Sequence, residues 1–374
     1  MKIINEYGGM SHFSELGQVY KDKRVLLVTG KQSYSGSGAK LILDKALEGE
    51  NVITFSDFSV NPKIEDAIRG ANLARASGTE VIIAIGGGSV IDIAKLIKAF
   101  IHAKGNELDT ATGKLEVSDP GMPLIAIPTT AGSGSEATHF AVVYVGPDKY
   151  SLAAQCLLPS SVVLDGQLVQ SGNSYLKKCN VLDAMSQAIE SYWSIGATAE
   201  SEEYALSALR LGWGAIQRFV NDTASSEDTQ KIVEAANFAG KAINISKTTA
   251  AHAWSYAFTS TLGVPHGHAV WLTLPAIFEI HFHAGPSDMI SSKAAQDHKH
   301  KIKVLCDVLK LKLDESLEMQ LRNFMRGIGL EHTMEAIGLS ECDARKAISQ
   351  QVNMERMGNN PVVLDQYIQK IFGF

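Results

Sequence analysis

The chain is poor in cysteine and has no long apolar run, and each absence excludes a class of protein. Four cysteines stand among 374 residues, at Cys156, Cys179, Cys306 and Cys342, and none is spaced as CxxC. A disulfide scaffold and a cysteine-rich zinc site are thereby excluded. No stretch reaches the roughly 18 apolar residues that a membrane span needs. The opening residues, MKIINEYGGM, hold no apolar signal core, so a cytoplasmic protein with free thiols is expected. Positive charge is not in excess either: the net charge is −6, which argues against a nucleic-acid partner. Low-complexity segments and internal repeats are missing, and with 45% hydrophobic residues the chain is expected to fold throughout.

What is present divides into two halves. A chain of 374 residues is long for one core and predicts two domains. The first half alternates short apolar runs with amphipathic stretches. RVLLVTG (24 to 30), NVITFSDF (51 to 58), EVIIAIGGG (80 to 88) and MPLIAIPTT (122 to 130) read as strands buried on both faces. The stretch 62 to 78 between them reads as a helix, and 142 to 155 as a hairpin added to the sheet. This rhythm predicts a parallel, doubly wound sheet. From about residue 170 helical periodicity takes over, at 200 to 220, 229 to 243 and 315 to 328. The expected fold is an α/β Rossmann-like N-terminal domain, 1–169, followed by an all-α domain, 170–374. The site is expected in the cleft between them, outside the carboxyl ends of the strands.

Three loops bear on a nucleotide. Gly86, Gly87, Gly88 and Ser89 join a strand to a helix. Bare glycine backbone and a helix N-terminus suit a pyrophosphate, although a plain tight turn has the same form. Asp92, on the first turn, is either a dipole-stabilising residue or a cofactor contact. Thr129, Thr130 and Ser133 lie in IPTTAGSGSEAT after the next strand and can reach the same ligand. After the first strand stand Lys31, Gln32 and Ser33, a cation and a hydroxyl that suit a 2′-phosphate and hence NADPH. Asp57 is the acidic residue that would instead favour NADH.

A metal constellation is spread over the second half. Asp183 and Gln187, in VLDAMSQAIESYWS, share one helix face at i and i+4. His252 and His266 follow, with Gly263 and Pro265 between them to break the chain, so that two helices converge. A carboxylate, an amide oxygen and two imidazoles suit a divalent metal that polarises a carbonyl. Spacing alone also permits satisfied core residues at these positions.

Four motifs in order carry a family likeness: GGGSVID, IPTTAGSGSEAT, DAMSQAIESYWS and HAWSYAFTSTLGVPHGHAVWLTLP. With them, most of the chain resembles the iron-containing (group III) alcohol dehydrogenases, whose fold is shared with dehydroquinate synthase. The resemblance implies hydride transfer between NADPH or NADH and a carbonyl, assisted by Fe²⁺ or Zn²⁺. It places metal ligands at Asp183, His252 and His266, and the pyrophosphate loop at residues 86 to 89. Two positions depart from the family pattern. Gln187 stands where a ligand His is usual, and Tyr256 where a proton-relaying His is usual. A tyrosine titrates near 10 rather than 6.5. Both departures resemble one branch, the phosphonoacetaldehyde reductases.

That branch implies a small phosphonate aldehyde as substrate and 2-hydroxyethylphosphonate as product. Ser246 and Lys247, just ahead of His252, are expected to open a helix and form the anion pocket. Tyr256, His268 or water is expected to protonate the alkoxide. Rival readings are a general short-chain alcohol dehydrogenase, a dehydroquinate synthase-type lyase, and a non-catalytic nucleotide-binding relative that has lost its metal at Gln187. A homo-oligomer is left open.

Overall fold

A computed structural model describes residues 2–340, 342, 345 and 352–372. The chain divides into two compact units. One is Met1–Gly172 with Ser225–Gly240, and the other is Asn173–Ala224 with Lys241–Phe374. The stretch Ser225–Gly240, expected with the helical half, therefore groups with the first unit.

The first unit is built on a six-stranded parallel sheet. Its strands are β1 (Lys2–Asn5), β2 (Arg24–Thr29), β3 (Asn51–Phe55), β4 (Val81–Gly86), β5 (Leu124–Pro128) and β8 (Ser161–Leu164), in the order β1-β8-β5-β4-β2-β3. Alternate residues of the central strands enter different cores. Val25, Leu27, Ile83, Ile85, Ile125 and Ile127 pack with Met10, Phe13, Leu16 and Leu43. Leu26, Val28, Ile82, Ala84, Leu124 and Ala126 pack against helices α1 (Ile64–Ser77) and α2 (Gly88–Phe100). Period-2 side chains with apolar cover on both sides account for the unbroken hydrophobic runs. Each such Ile or Leu contributes about 1.5–3 kcal/mol by leaving water. Strands β1 and β8 escape the sequence pattern because each has only four residues. The hairpin β6 (Phe140–Val145) and β7 (Asp148–Ala153) does not join the main sheet, as its sequence suggested, but forms a two-stranded sheet of its own. Val143 and Leu152 bury their side chains with α1 and α2 instead of extending the ladder.

The second unit is helical. Its central element is α3 (Ser174–Trp193), whose N-terminus is closed by the Asn173 side chain accepting from the amides of Tyr175 and Leu176. From Val181 onward every residue of α3 is buried, the polar Asp183, Ser186, Gln187, Glu190 and Ser191 included. Such a helix has neighbours on all sides. They include α4 (Ala199–Gly212) and α7 (His266–His283). Helix α5 (Ser226–Ser246) ends just before α6 (Ala250–Leu262), and Gly263, at φ 69°, turns the chain from α6 into α7. The stretch 200 to 220, expected as one helix, breaks after Gly212 and resumes at Ile216.

Close backbone contact in the first unit depends on two glycines. A Cβ on Gly240 would stand 2.5 Å from the carbonyl oxygen of Gly134, which itself sits at φ 61°. Gly240→Ala is therefore expected to destabilise the protein by about 1–3 kcal/mol, since backbone cannot yield as a side chain does. A urea melt of the variant checks this, and an unchanged midpoint would contradict it.

Candidate active site

The loop after β4 is shaped by what its glycines leave out. Gly86 sits at φ 158°, and a Cβ on Gly88 would stand 2.5 Å from Ser133 Oγ. One on Gly87 would stand 3.3 Å from Thr130. Helix α2 starts at Gly88, with Gly87 as its N-cap and no side-chain cap. Its first amides are therefore available to an anion, and the bare backbone admits one closely. Ser89 lies in the first turn of α2. Thr130 and Ser133 border the loop, and Thr129 is tied to it by its amide, which donates to the Gly86 carbonyl at 3.0 Å. The donor set and the glycine cradle fit a pyrophosphate.

Asp92 bonds within the protein. Its carboxylate accepts from Ser135 Oγ at 2.5 Å and from the Val142 amide at 3.2 Å. One turn on, the buried Lys95 ammonium donates to the carbonyls of Ser135, Thr138 and Phe140 at 2.6, 2.8 and 2.9 Å. Burial lowers the Lys95 pKa to about 8 despite Asp92 and Glu136 nearby. The pair fastens the 135 to 142 segment behind the loop. At the first loop, Ser33 opens the short helix Ser33–Gly36. Lys31 donates to Asp57 at 3.1 Å and Arg69 stands 3.7 Å from it, so the acidic residue that would favour NADH is held by two cations.

In the second unit Asp183, His252 and His266 come together, with ligand atoms all within 4.8 Å of one another. His252 Nε2 lies 3.3 Å and His266 Nε2 3.9 Å from Asp183 Oδ1. The imidazoles come from α6 and from the first residue of α7, and their ring centres are 5.3 Å apart. Gly267 makes this approach possible: a Cβ there would collide with the Cys179 carbonyl oxygen of α3. Gln187 hydrogen-bonds Asp183, so it too stands at the site. The Asp183 carboxyl is raised by burial, but His266, His252 and Gln187 outweigh this and hold it below its ordinary value. One hard carboxylate and two imidazoles suit Fe²⁺ or Zn²⁺.

Glu190 went unnoticed in the sequence. It is fully buried on α3, seven residues after Asp183 and on the same face. One carboxylate oxygen accepts from Thr249 Oγ1 and the Ala251 amide, each at 2.8 Å, and from the His252 amide at 3.4 Å. The other accepts from His252 Nδ1. Helix α6 has no side-chain cap of its own, and Glu190 satisfies its first amides from α3. The same carboxylate fixes the His252 tautomer, with Nε2 left to face Asp183. Burial lowers the His252 pKa, but Glu190 and Asp183 reverse this and raise it from 6.5 to about 9.

His268 and Tyr256, the two expected proton donors, part company. His268 is buried, donating Nε2–H to the Glu331 carbonyl at 2.7 Å and accepting at Nδ1 from the Tyr175 hydroxyl at 2.8 Å. Both nitrogens are thus occupied, and burial lowers its pKa. Two residues beyond His266 on a helix is nearly the opposite face, which is why it misses the site. Tyr256 lies beside the cluster: its ring is parallel to that of His266, with centres 5.6 Å apart. Burial raises its pKa, against the opposing effect of a hydrogen bond with Arg356.

Ser246 and Lys247 do not open a helix. Ser246 is the last residue of α5, and Lys247 follows it at φ 62°. The Lys247 ammonium is bound to Glu355. The Ser246 hydroxyl bonds the Ala242 carbonyl at 3.0 Å and Ser191 Oγ at 2.6 Å. The expected anion pocket at these two residues is not assembled.

Two outcomes are expected. Glu190→Gln should weaken Zn²⁺ or Fe²⁺ binding by about 10–100-fold through loss of the charged partner of His252; a metal titration that matches the parent would refute this. Metal must also expel the proton that His252 otherwise keeps up to about pH 9. Apparent affinity should therefore climb from pH 6.5 to about 9, with proton release measurable by calorimetry in buffers of different ionisation enthalpy. A flat profile would contradict the raised pKa.

The comparisons with known proteins agree with this geometry. Residues 1–166 match the family model described as iron-containing alcohol dehydrogenase, and residues 179–372 match that of the Fe-containing alcohol dehydrogenase family, C-terminal. The chain is 28% identical to a phosphonoacetaldehyde reductase of Streptomyces viridochromogenes, over 94% of this chain and 89% of that protein. It superposes on the sulfoacetaldehyde reductase of Bifidobacterium kashiwanohense in complex with NAD⁺ at a TM-score of 0.82 and 25% identity, covering 100% of this chain and 96% of the other. An iron-containing alcohol dehydrogenase of Thermotoga maritima shares the fold, with a TM-score of 0.82 at 22% identity and coverage of 100% and 98%.

Proposed function

Because the chain belongs to the iron-containing alcohol dehydrogenase family, we propose that it reduces phosphonoacetaldehyde to 2-hydroxyethylphosphonate, reversibly, with NADPH or NADH. The coarser activity follows from the family: an NAD(P)-dependent oxidoreductase that interconverts a small alcohol and its aldehyde. The observation that carries the reading is the convergence of Asp183, His252 and His266, with Glu190 behind His252.

In this reading Asp183, His252 and His266 hold the metal, with Gln187 beside Asp183. The glycine loop at residues 86 to 89 holds the pyrophosphate, with Thr129, Thr130 and Ser133 alongside and Ser33 toward the ribose. When bound, the nicotinamide supplies the hydride and the divalent metal a Lewis acid that polarises the carbonyl. Aldehyde, reduced nicotinamide and one proton give alcohol and oxidised nicotinamide. Tyr256 supplies a hydrogen bond to the developing alkoxide. A guanidinium only donates, so Tyr256 accepts from Arg356 and keeps its own proton to give. Its raised pKa keeps the phenol protonated at neutral pH.

The phosphonate is supported by the kind of relative the chain resembles. One acts on phosphonoacetaldehyde and another on sulfoacetaldehyde by name. Both are short aldehydes ending in an anion. The rival reading, a reductase of uncharged short aldehydes, draws on the pairing of Lys247 with Glu355, which removes one expected cation. The full set Asp183, His252 and His266 speaks against a non-catalytic relative.

The test is anaerobic NAD(P)H oxidation with Fe²⁺ added, comparing phosphonoacetaldehyde with propanal. A kcat/KM about 100-fold higher for the phosphonate is expected if a charged group of the site binds the anion. Equal or better use of propanal would remove the phosphonate and leave the dehydrogenase.

A further inference from the structure

We infer that Arg356 is the residue that receives the anionic head of the substrate, an inference that rests on the anionic-aldehyde reading above. Arg356 lies on the short helix Met354–Gly358 and is only 8% exposed. Among the described residues, its Nε and Nη1 find no hydrogen-bond partner. A buried guanidinium with unmet donors is costly in an apolar setting, and the cost is relieved by an anion that accepts from its fork. Glu355, which is bound to Lys247, feels the charge of Arg356 but accepts no hydrogen bond from its Nε or Nη1.

The guanidinium is also in the right neighbourhood. It hydrogen-bonds Tyr256, and the Tyr256 ring lies flat on His266, one of the three candidate metal ligands. A carbonyl directed at the metal therefore has a phenol beside it and a guanidinium just beyond the phenol. A two-carbon aldehyde with a terminal phosphonate or sulfonate matches that sequence of groups. An uncharged aldehyde leaves the guanidinium as it found it.

The backbone that carries Arg356 is held firmly. Asn353 Oδ1 accepts from the Arg356 amide at 3.0 Å, and the Asn353 amide reaches the Ala253 carbonyl of α6 at 3.4 Å. On the other side Asn359 Nδ2 donates to the carbonyls of Ser246 and Thr248 at 2.8 and 3.0 Å. Both anchors join this segment to the residues flanking the start of α6. The guanidinium is thus registered against the helix that carries His252 and Tyr256, as a specificity-determining group must be. Arginine suits the task better than lysine, since its planar fork meets two oxygens of a phosphonate at once.

The test compares the parent with Arg356→Gln and Arg356→Lys on phosphonoacetaldehyde and on propanal. Arg356→Gln should lower kcat/KM for phosphonoacetaldehyde at least about 30-fold more than kcat/KM for propanal, the loss shared through Tyr256 falling on kcat for both aldehydes and the specific loss falling on KM for the phosphonate alone. Arg356→Lys, which keeps the charge and loses the fork, should fall between and decides the matter if the glutamine variant does not fold. A second readout needs no turnover: calorimetric titration of methylphosphonate into protein saturated with NADP⁺, so that the glycine loop is filled. The parent should bind and Arg356→Gln should not. Equal losses on both aldehydes, or methylphosphonate binding retained by the variant, would overturn the assignment of Arg356. If the parent itself shows no preference for the anionic aldehyde, the substrate reading falls first and this inference with it.

Discussion

The rest of the site depends on one carboxylate, that of Glu190. It is buried on α3, terminates α6 by accepting from the amides of Ala251 and His252, and accepts from His252 Nδ1. A buried carboxylate is tolerable only when its lone pairs are met by donors, and here backbone amides, a hydroxyl and an imidazole meet them. In return α6 gains a cap it does not carry itself, and His252 is held in a single tautomer. The helix start and the imidazole that sits on it are thereby positioned by the same group. Without that group, His252 would have to find its orientation against Asp183 alone.

Around this interaction the second unit spends polar groups where packing would otherwise put apolar ones. Gly267 gives up a side chain so that α7 can lie against the α3 backbone, which brings His266 to Asp183. Trp271 Nε1 donates to the Leu182 carbonyl at 2.8 Å, one residue from Asp183, and Trp193 Nε1 donates to Thr249 Oγ1 at 2.9 Å, one residue before α6. Large rings fill the volume while their single donors fasten the segments that carry Asp183 and His252. In the first unit the same logic holds on a smaller scale, with Lys95 and Asp92 binding the 135 to 142 segment behind the glycine loop.

Much of this was legible in the sequence, and the parts that were not have physical causes. Long, doubly buried strands announce themselves, whereas β1 and β8 are too short to show a pattern. Asp183, His252 and His266 were legible through the family motifs, since spacing alone left them open and the breaks at Gly263 and Pro265 bear only on the two helices that carry the imidazoles. Glu190 looked like any helix glutamate; its i+7 relation to Asp183 was the available signal. His268 misled by proximity in sequence, since two residues on a helix turn a side chain nearly to the other face. Ser246 and Lys247 misled because a run of hydroxyls resembles a helix start, while the left-handed Lys247 marks a helix end. Arg356 gave no signal, because only burial separates it from the charged residues around it.

The most direct test of the account is whether the second unit holds one divalent metal on Asp183, His252 and His266 although Gln187 stands where a fourth protein ligand is expected. Co²⁺ titrated into the metal-free protein, followed by its visible absorption, reports both stoichiometry and ligand field. The account predicts one equivalent bound in the parent, and loss of that spectrum in His266→Ala with the fold retained by circular dichroism. A parent that binds no Co²⁺, or a variant that binds it with the same spectrum, would contradict it.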